Sequence, residues 1–206
     1  MRRRLDLEMV RRGLARTQGE AAEAILAGRI LVDGRPALKP SSLVAPSDQV
    51  TVTDESRRYV SRGGEKLDAA LFRFQVNARD RRCLDAGAST GGFTDALLTH
   101  GAEHVVAVDV GYGQLAWSLR TDPRVTVMER RNIRHIQRHE VPYSPELVVA
   151  DLSFISLARV LDALSEVAAA DADFILLVKP QFEARREFVQ PGGVVSDPEG
   201  WRTSIA

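Results

Sequence analysis

The stretch Leu84-Asp85-Ala86-Gly87-Ala88-Ser89-Thr90-Gly91-Gly92-Phe93-Thr94 restricts the fold of this chain more than any other. It predicts a buried strand that ends in an acid, then a glycine-rich turn, then a helix whose apolar face includes Phe93 and Leu97. Gly87, Gly91 and Gly92 allow close approach of backbone to a small polar ligand, and the helix N-terminus offers unpaired N–H groups to it. From Arg82 onward the pattern repeats. Apolar runs at 83–84, 104–108, 125–128, 147–150 and 174–178 alternate with helical segments such as 93–100 and 157–167. That alternation predicts an α/β, Rossmann-like domain with a parallel, doubly wound sheet.

In such sheets ligands bind beyond the carboxyl ends of the strands. Asp85, Asp109, Asp151 and Lys179 all stand at those ends. The glycines fall as G-x-x-x-G-G and follow an acid, whereas a dinucleotide fingerprint is G-x-G-x-x-G. An acid before the first glycine suits the ammonium of a methionine better than a pyrophosphate. The turn Gly87 to Gly92, including Ala88, Ser89 and Thr90, therefore reads as a cradle for S-adenosylmethionine rather than a dinucleotide. Asp109 lies 22 residues beyond Gly87, near the spacing of about 20 at which an acid meets ribose hydroxyls. Val110 follows it in the same loop, and Asn132, after the third strand, is a candidate for the adenine edge. A bare strand-to-helix turn is the competing reading.

The first third of the chain has a different character. Residues 1 to 66 carry 13 Lys+Arg against 9 Asp+Glu, and the remainder 15 against 19, so a basic segment precedes a slightly acidic one. Helices are expected over 5–12 and, after a Thr17/Glu20 capping box, up to Gly28. Arg29 to Val32 then leads into an Asp33-Gly34 hairpin, and 49–53 reads as a further strand. Arg4, Arg11, Arg12, Arg16, Arg29 and Lys39 fall on helix faces and at the hairpin, placed to meet phosphates. The motifs Leu5-Asp6, Arg12-Gly13-Leu14-Ala15, Gly28-Arg29-Ile30, Val32-Asp33-Gly34 and Lys39-Pro40 resemble the S4-type RNA-binding domain of a ribosomal small-subunit protein. The expected division is 1–54 for this α+β domain, 55–62 for a linker, and 63–206 for the α/β domain.

Cys83 is the sole cysteine, which excludes disulfides and thiolate metal sites. Neither a metal nor a covalent intermediate is needed by the chemistry the strand ends suggest. No apolar run approaches the roughly 18 residues that cross a bilayer, so a cytoplasmic location is expected. Asp151-Leu152-Ser153-Phe154 lacks the prolines that usually accompany methyl transfer to an exocyclic amine. With Lys66, on a helix expected over 65–74, and Lys179 beside that carboxylate, a ribose hydroxyl is the better acceptor. An ammonium favours the developing alkoxide, and a desolvated lysine can take the proton.

Five further motifs carry a second resemblance. Ser61-Arg62-Gly63-Gly64-Glu65-Lys66-Leu67, the glycine turn, Asp109-Val110-Gly111-Tyr112-Gly113-Gln114-Leu115, Asp151-Leu152-Ser153-Phe154-Ile155-Ser156 and Lys179-Pro180-Gln181-Phe182-Glu183 together resemble the TlyA family of ribosomal RNA cytidine 2′-O-methyltransferases, some of which bear the name haemolysin. The resemblance implies an FtsJ-like fold, S-adenosylmethionine as methyl donor, ribosomal RNA or ribosomal subunits as partner, and a Lys-Asp-Lys-Glu tetrad. Lys66, Asp151 and Lys179 match its first three members. The fourth has no counterpart up to Ala206, which leads one to expect an incomplete catalytic domain. A non-catalytic RNA-binding protein with a vestigial cofactor pocket is the alternative expectation, and a membrane-active haemolysin a weaker one.

Overall fold

A computed structural model describes residues 2–52 and 58–205. The chain forms two compact units, Met1–Arg58 and Tyr59–Ala206. The expected boundary at 54, the first residues of the expected linker and the end of the strand at Thr53 lie outside the described residues.

In the first unit, β1 (Arg3–Arg4) runs into α1 (Leu5–Arg11), followed by α2 (Gln18–Leu26), β2 (Ile30–Val32), β3 (Arg35–Pro36), β4 (Leu43–Val44) and β5 (Val50–Val52). Thr17 Oγ1 accepts the Glu20 N–H at 3.1 Å, so the expected cap starts α2. Asp33 and Gly34 both take positive φ, 49° and 75°, as the hairpin between β2 and β3 requires. The sheet order is β3-β2-β5, antiparallel throughout, and β1 pairs with β4 separately. Leu5, Met9, Ala21, Ala24, Ile25, Ile30 and Val44 form the core. Leu26, the last residue of α2, is 69% exposed, since it lies off the face that Ala21, Ala24 and Ile25 define.

Two acids are buried at the start of α1. Asp6 accepts from Arg4 and Gln18, and Glu8 accepts from Arg11 and Arg12. Hydrogen bonds from those guanidinium groups pull both carboxyls down to about 2.

The second unit opens with α3 (Arg62–Phe74). Five parallel strands follow, β6 (Arg82–Ala86), β7 (His104–Val108), β8 (Val125–Met128), β9 (Leu147–Ala150) and β10 (Asp173–Leu176). Between and after them lie α4 (Gly92–Thr99), α5 (Trp117–Arg120), α6 (Leu161–Val167), α7 (Pro180–Glu183) and α8 (Pro198–Thr203). The order β10-β9-β6-β7-β8 places the switch of direction between β6 and β9. Side chains alternate across the sheet. Cys83, Val105, Leu147 and Val149 face a core with Leu67, Phe93 and Leu97, while Leu84, Val106, Val108 and Val148 face Val160, Leu164 and Val167. Both faces are covered, as a doubly wound sheet demands.

Three expectations are corrected. Helix α3 begins at Arg62 and not Glu65, because Ser61 Oγ accepts the Gly63 N–H and the two glycines are packing surfaces inside the helix. A Cβ on Gly64 would lie 2.3 Å from Tyr59 Cγ, and one on Gly92 of α4 would lie 2.2 Å from Ser61 Oγ. Phe74, expected to continue the apolar face of Leu67, Ala70 and Leu71, is exposed. The fifth strand ends at Leu176 because its partner β9 ends at Ala150, although Leu177 N still donates to Ala150 O at 2.8 Å. Among the described residues no helix is long and apolar enough to cross a membrane.

Candidate active site

The carboxyl ends of β6, β7 and β9, with the loop after β8, surround an open cleft of about 900 Å³. Gly87, Ser89, Asp109, Asn132, Asp151 and Ser153 border it. Gly87 makes this geometry possible. Its φ is 85°, and a Cβ there would stand 3.0 Å from Leu152 Cδ2 and 3.1 Å from the Asp151 carbonyl oxygen. The turn after β6 and the loop after β9 therefore touch through a residue without a side chain. Gly87→Ala is expected to cost about 2 kcal/mol, from left-handed backbone and this contact together, read as a lowered urea midpoint of the full chain.

Ala88, Thr90, Gly91 and Gly92 make the turn itself. Ala88 O accepts the Gly91 N–H at 2.7 Å, and Thr90 O accepts the Ala116 N–H at 3.1 Å. Gly91, at φ 98°, ends the turn and precedes α4 with no side-chain cap, so the first N–H groups of that helix lack a side-chain acceptor.

Asp85 lies beneath this turn, fully buried. Thr94 Oγ1 donates to its Oδ2 at 2.7 Å, and its Oδ1 has no protein partner. Burial pushes the carboxyl up to about 7; the Thr94 hydrogen bonds oppose this, and Asp151 and Asp109 add to it. An orphaned buried oxygen under a glycine turn fits a ligand that brings a cation or donor.

The Asp109 carboxylate accepts the Ser89 N–H at 2.8 Å and the Gly111 N–H at 2.6 Å. Two of its four lone-pair sites remain for further donors. Val110 is two-thirds exposed on the cleft wall. Asn132 Oδ1 caps the turn 133–135 by accepting the Arg134 N–H, which leaves its amide N–H₂ to the cleft.

The three expected catalytic side chains meet. Lys179 Nζ is 2.6 Å from Asp151 Oδ1 and Lys66 Nζ is 3.4 Å from Asp151 Oδ2. They arrive from three places: Asp151 after β9, Lys179 as the residue before α7, and Lys66 in the second turn of α3. Lys179 also donates to Ser153 Oγ at 2.7 Å. Side-chain exposure is 20% for Lys179 and 52% for Lys66, so one ammonium is held and the other reaches in from solvent.

Sequence reasoning assigned no role to several residues of the same cleft. Ser153 ties Lys179 to the β9 loop. Glu183 clamps that loop from α7, accepting from Ser156 Oγ at 2.6 Å and from Leu157 N at 2.8 Å. Phe154 is 91% exposed at φ 65° and lies against Phe182, ring centroids 5.4 Å apart. Ser153 and Phe154 sit within three residues of Asp151, and Phe182 and Glu183 within four of Lys179, and that proximity was the available signal.

The basic residues of the first unit divide. Arg12 is taken up internally: it bonds Glu8 and the carbonyls of Asp48 and Ala45, and its side chain is 19% exposed. The Arg16 side chain is 92% exposed, with Glu20 at 3.5 Å. Arg4 and Arg11 are half-exposed over Asp6 and Glu8, Lys39 is exposed, and Arg29 precedes β2.

Comparison with known proteins places this geometry. The FtsJ-like methyltransferase family matches residues 59–199, and the S4 domain family matches residues 3–50. The 16S/23S rRNA (cytidine-2'-O)-methyltransferase TlyA of Mycobacterium tuberculosis is 58% identical, covering 96% of this chain and 74% of that protein. Hemolysin A of Brachyspira hyodysenteriae is 38% identical over 94% of this chain and 81% of its own length. A solved structure from Streptococcus thermophilus, described under the name hemolysin, superposes with a TM-score of 0.74 at 38% identity, covering 99% of this chain and 75% of that one.

Proposed function

The chain belongs to the TlyA family of FtsJ-like methyltransferases, and from that premise we propose that it methylates the 2′-hydroxyl of a cytidine in ribosomal RNA with S-adenosylmethionine as donor. The observation that carries the reading is Asp151 held between Lys66 and Lys179 beside a cleft whose wall is the Gly87 turn. S-adenosylmethionine, when bound, supplies an electrophilic methyl group on a sulfonium. The residues present suit it. The Gly87–Ser89 backbone and Asp85 are proposed to hold the methionine end, Asp109 the ribose hydroxyls, and Asn132 with Val110 the adenine.

For the acceptor, the chain has to orient one hydroxyl and remove its proton. Lys179 Nζ, fixed by Asp151 Oδ1 and Ser153 Oγ, is the proposed group at that hydroxyl. The proton leaves into the Lys179–Asp151 pair, and Lys66 adds a second positive charge against the oxygen's developing negative one. Phe154 and Phe182 offer an aromatic rim on which the base can stack. The S4 unit grips structured RNA through its basic surface. The test is transfer of labelled methyl from S-adenosylmethionine to purified ribosomal subunits, with alkali resistance of the product mapping the 2′ position. Donor binding without transfer to either subunit would overturn the reading.

Arg4→Ala combined with Lys39→Ala is expected to weaken binding to ribosomal RNA by about tenfold or more and to reduce the salt slope by about two. An unchanged slope would remove both from the phosphate contacts.

A further inference from the structure

Asp6, in the first unit, is a carboxylate only 1% exposed. Burying a carboxylate is expensive unless every lone pair is met, and a well-packed apolar side chain is often the cheaper choice. Here the lone pairs are met by surface groups. Arg4 binds side-on, Nε to Oδ1 at 3.1 Å and Nη2 to Oδ2 at 2.7 Å, and Gln18 Nε2 donates to Oδ2 at 3.1 Å. The Leu7 N–H completes the set at 2.8 Å. Asp6 N donates to Pro40 O at 3.1 Å, which brings the Lys39–Pro40 loop to the same point.

The geometry leaves the outward edges free. Arg4 uses two of its five N–H groups on Asp6, so three remain, on a side chain that is 48% exposed. Gln18 is exposed with its amide oxygen uncommitted to Asp6. Arg4, at the start of the unit, and Gln18, at the start of α2, are 14 positions apart in sequence and would otherwise rotate independently.

We propose that Asp6 is a positioning residue for RNA recognition: it fixes the Arg4 guanidinium and the Gln18 amide side by side, with its backbone tied to the Lys39–Pro40 loop, as one rigid set of donors and acceptors for the backbone of a structured RNA. The inference rests on the reading of the S4 unit as an RNA grip. It adds that the grip is preorganised from beneath by an acid, and that Gln18 belongs to it. A fixed fork suits phosphate oxygens in a way a mobile point charge does not.

The expected signs make the test decisive. Removing a negative charge from a polyanion-binding surface should tighten binding if charge alone mattered. Asp6→Asn is instead expected to weaken binding of the full chain to deproteinised 16S and 23S ribosomal RNA by about fivefold, because an amide cannot accept both guanidinium bonds. Arg4→Lys, which keeps the charge and loses the fork, is expected to weaken it nearly as much as Arg4→Ala, about tenfold. Gln18→Ala is expected to lose a few-fold, while affinity for S-adenosylmethionine stays unchanged in all of these variants. The proposal is overturned if Asp6→Asn binds as tightly as the wild type or tighter, or if Arg4→Lys retains wild-type affinity. Should Asp6→Asn lose the fold of the unit, visible as a lost thermal transition, Arg4→Lys decides alone. A wild-type chain that does not bind RNA overturns the RNA reading itself, and is recognised before any variant is compared.

Discussion

Lys179→Ala is expected to lower methyl transfer by at least about a thousandfold while leaving RNA affinity within about threefold of wild type. The Lys179 ammonium is gripped by Asp151 and Ser153 and is the less exposed of the two lysines, so it is the one held at a fixed position. Truncation also leaves the Asp151 carboxylate facing Lys66 alone, at 3.4 Å. Lys66→Ala should cost less, about tenfold to a hundredfold, since that side chain is half in solvent and water can take its place. The measurement is single-turnover transfer with saturating donor, alongside filter binding of the same RNA. A parallel fall of binding and turnover would make Lys179 an anchor for the RNA rather than the group that handles the hydroxyl.

Asp85→Asn is expected to remove most of the loss of stability that the chain undergoes as the pH rises. Burial raises the Asp85 carboxyl from an ordinary value near 4 to about 7, so between those two values the folded chain holds a proton that the unfolded chain has released. Stability from this group is therefore full below about pH 4 and is lost as the pH rises to about 7, beyond which the loss is constant. The difference of roughly three units corresponds to something on the order of 4 kcal/mol. An amide carries no such cost. Urea unfolding at pH 5 and pH 8 should show the wild type losing stability on the alkaline side and Asp85→Asn losing much less, with the variant the more stable of the two at pH 8. Equal pH slopes for the two proteins would mean that the unpartnered Asp85 Oδ1 is satisfied by other means. The same substitution is expected to weaken donor binding, because the position under the turn then offers no charge to an ammonium.

Much of this was legible in the chain because the relevant signals are local. Asp109, Asp151 and Lys179 each follow an apolar run of strand length, Asp85 follows a shorter one inside β6, and a parallel sheet brings such ends together whatever the loops do. The Thr17 cap and the Asp33-Gly34 turn are likewise written in neighbouring residues. What escaped depends on distant partners. Arg12 reads as a basic surface residue, but Glu8 and three carbonyl groups from residues 45 to 48 draw it inward. Asp6 and Glu8 carry no local sign of burial, since nothing in a linear sequence says that guanidinium groups will fold over them. Gly63 and Gly64 fall outside the helix expected over 65–74, and their reason for lying inside α3 is the bulk of Tyr59 and the proximity of α4. Phe154 gives no local sign of left-handed backbone, which for an aromatic residue is set by the surrounding loop rather than by its own preference.

The seam where α3 meets α4 has a further consequence. Gly92 lies so near Ser61 that even a methyl group would wedge the two helices apart, yet α3 is the element that delivers Lys66 to Asp151. The seam works as a depth stop for a lever, setting from a distance how far the ammonium extends. Damage to turnover should therefore radiate from a place that no substrate touches, and an inactive variant altered there would still look, to every ligand, like an intact enzyme.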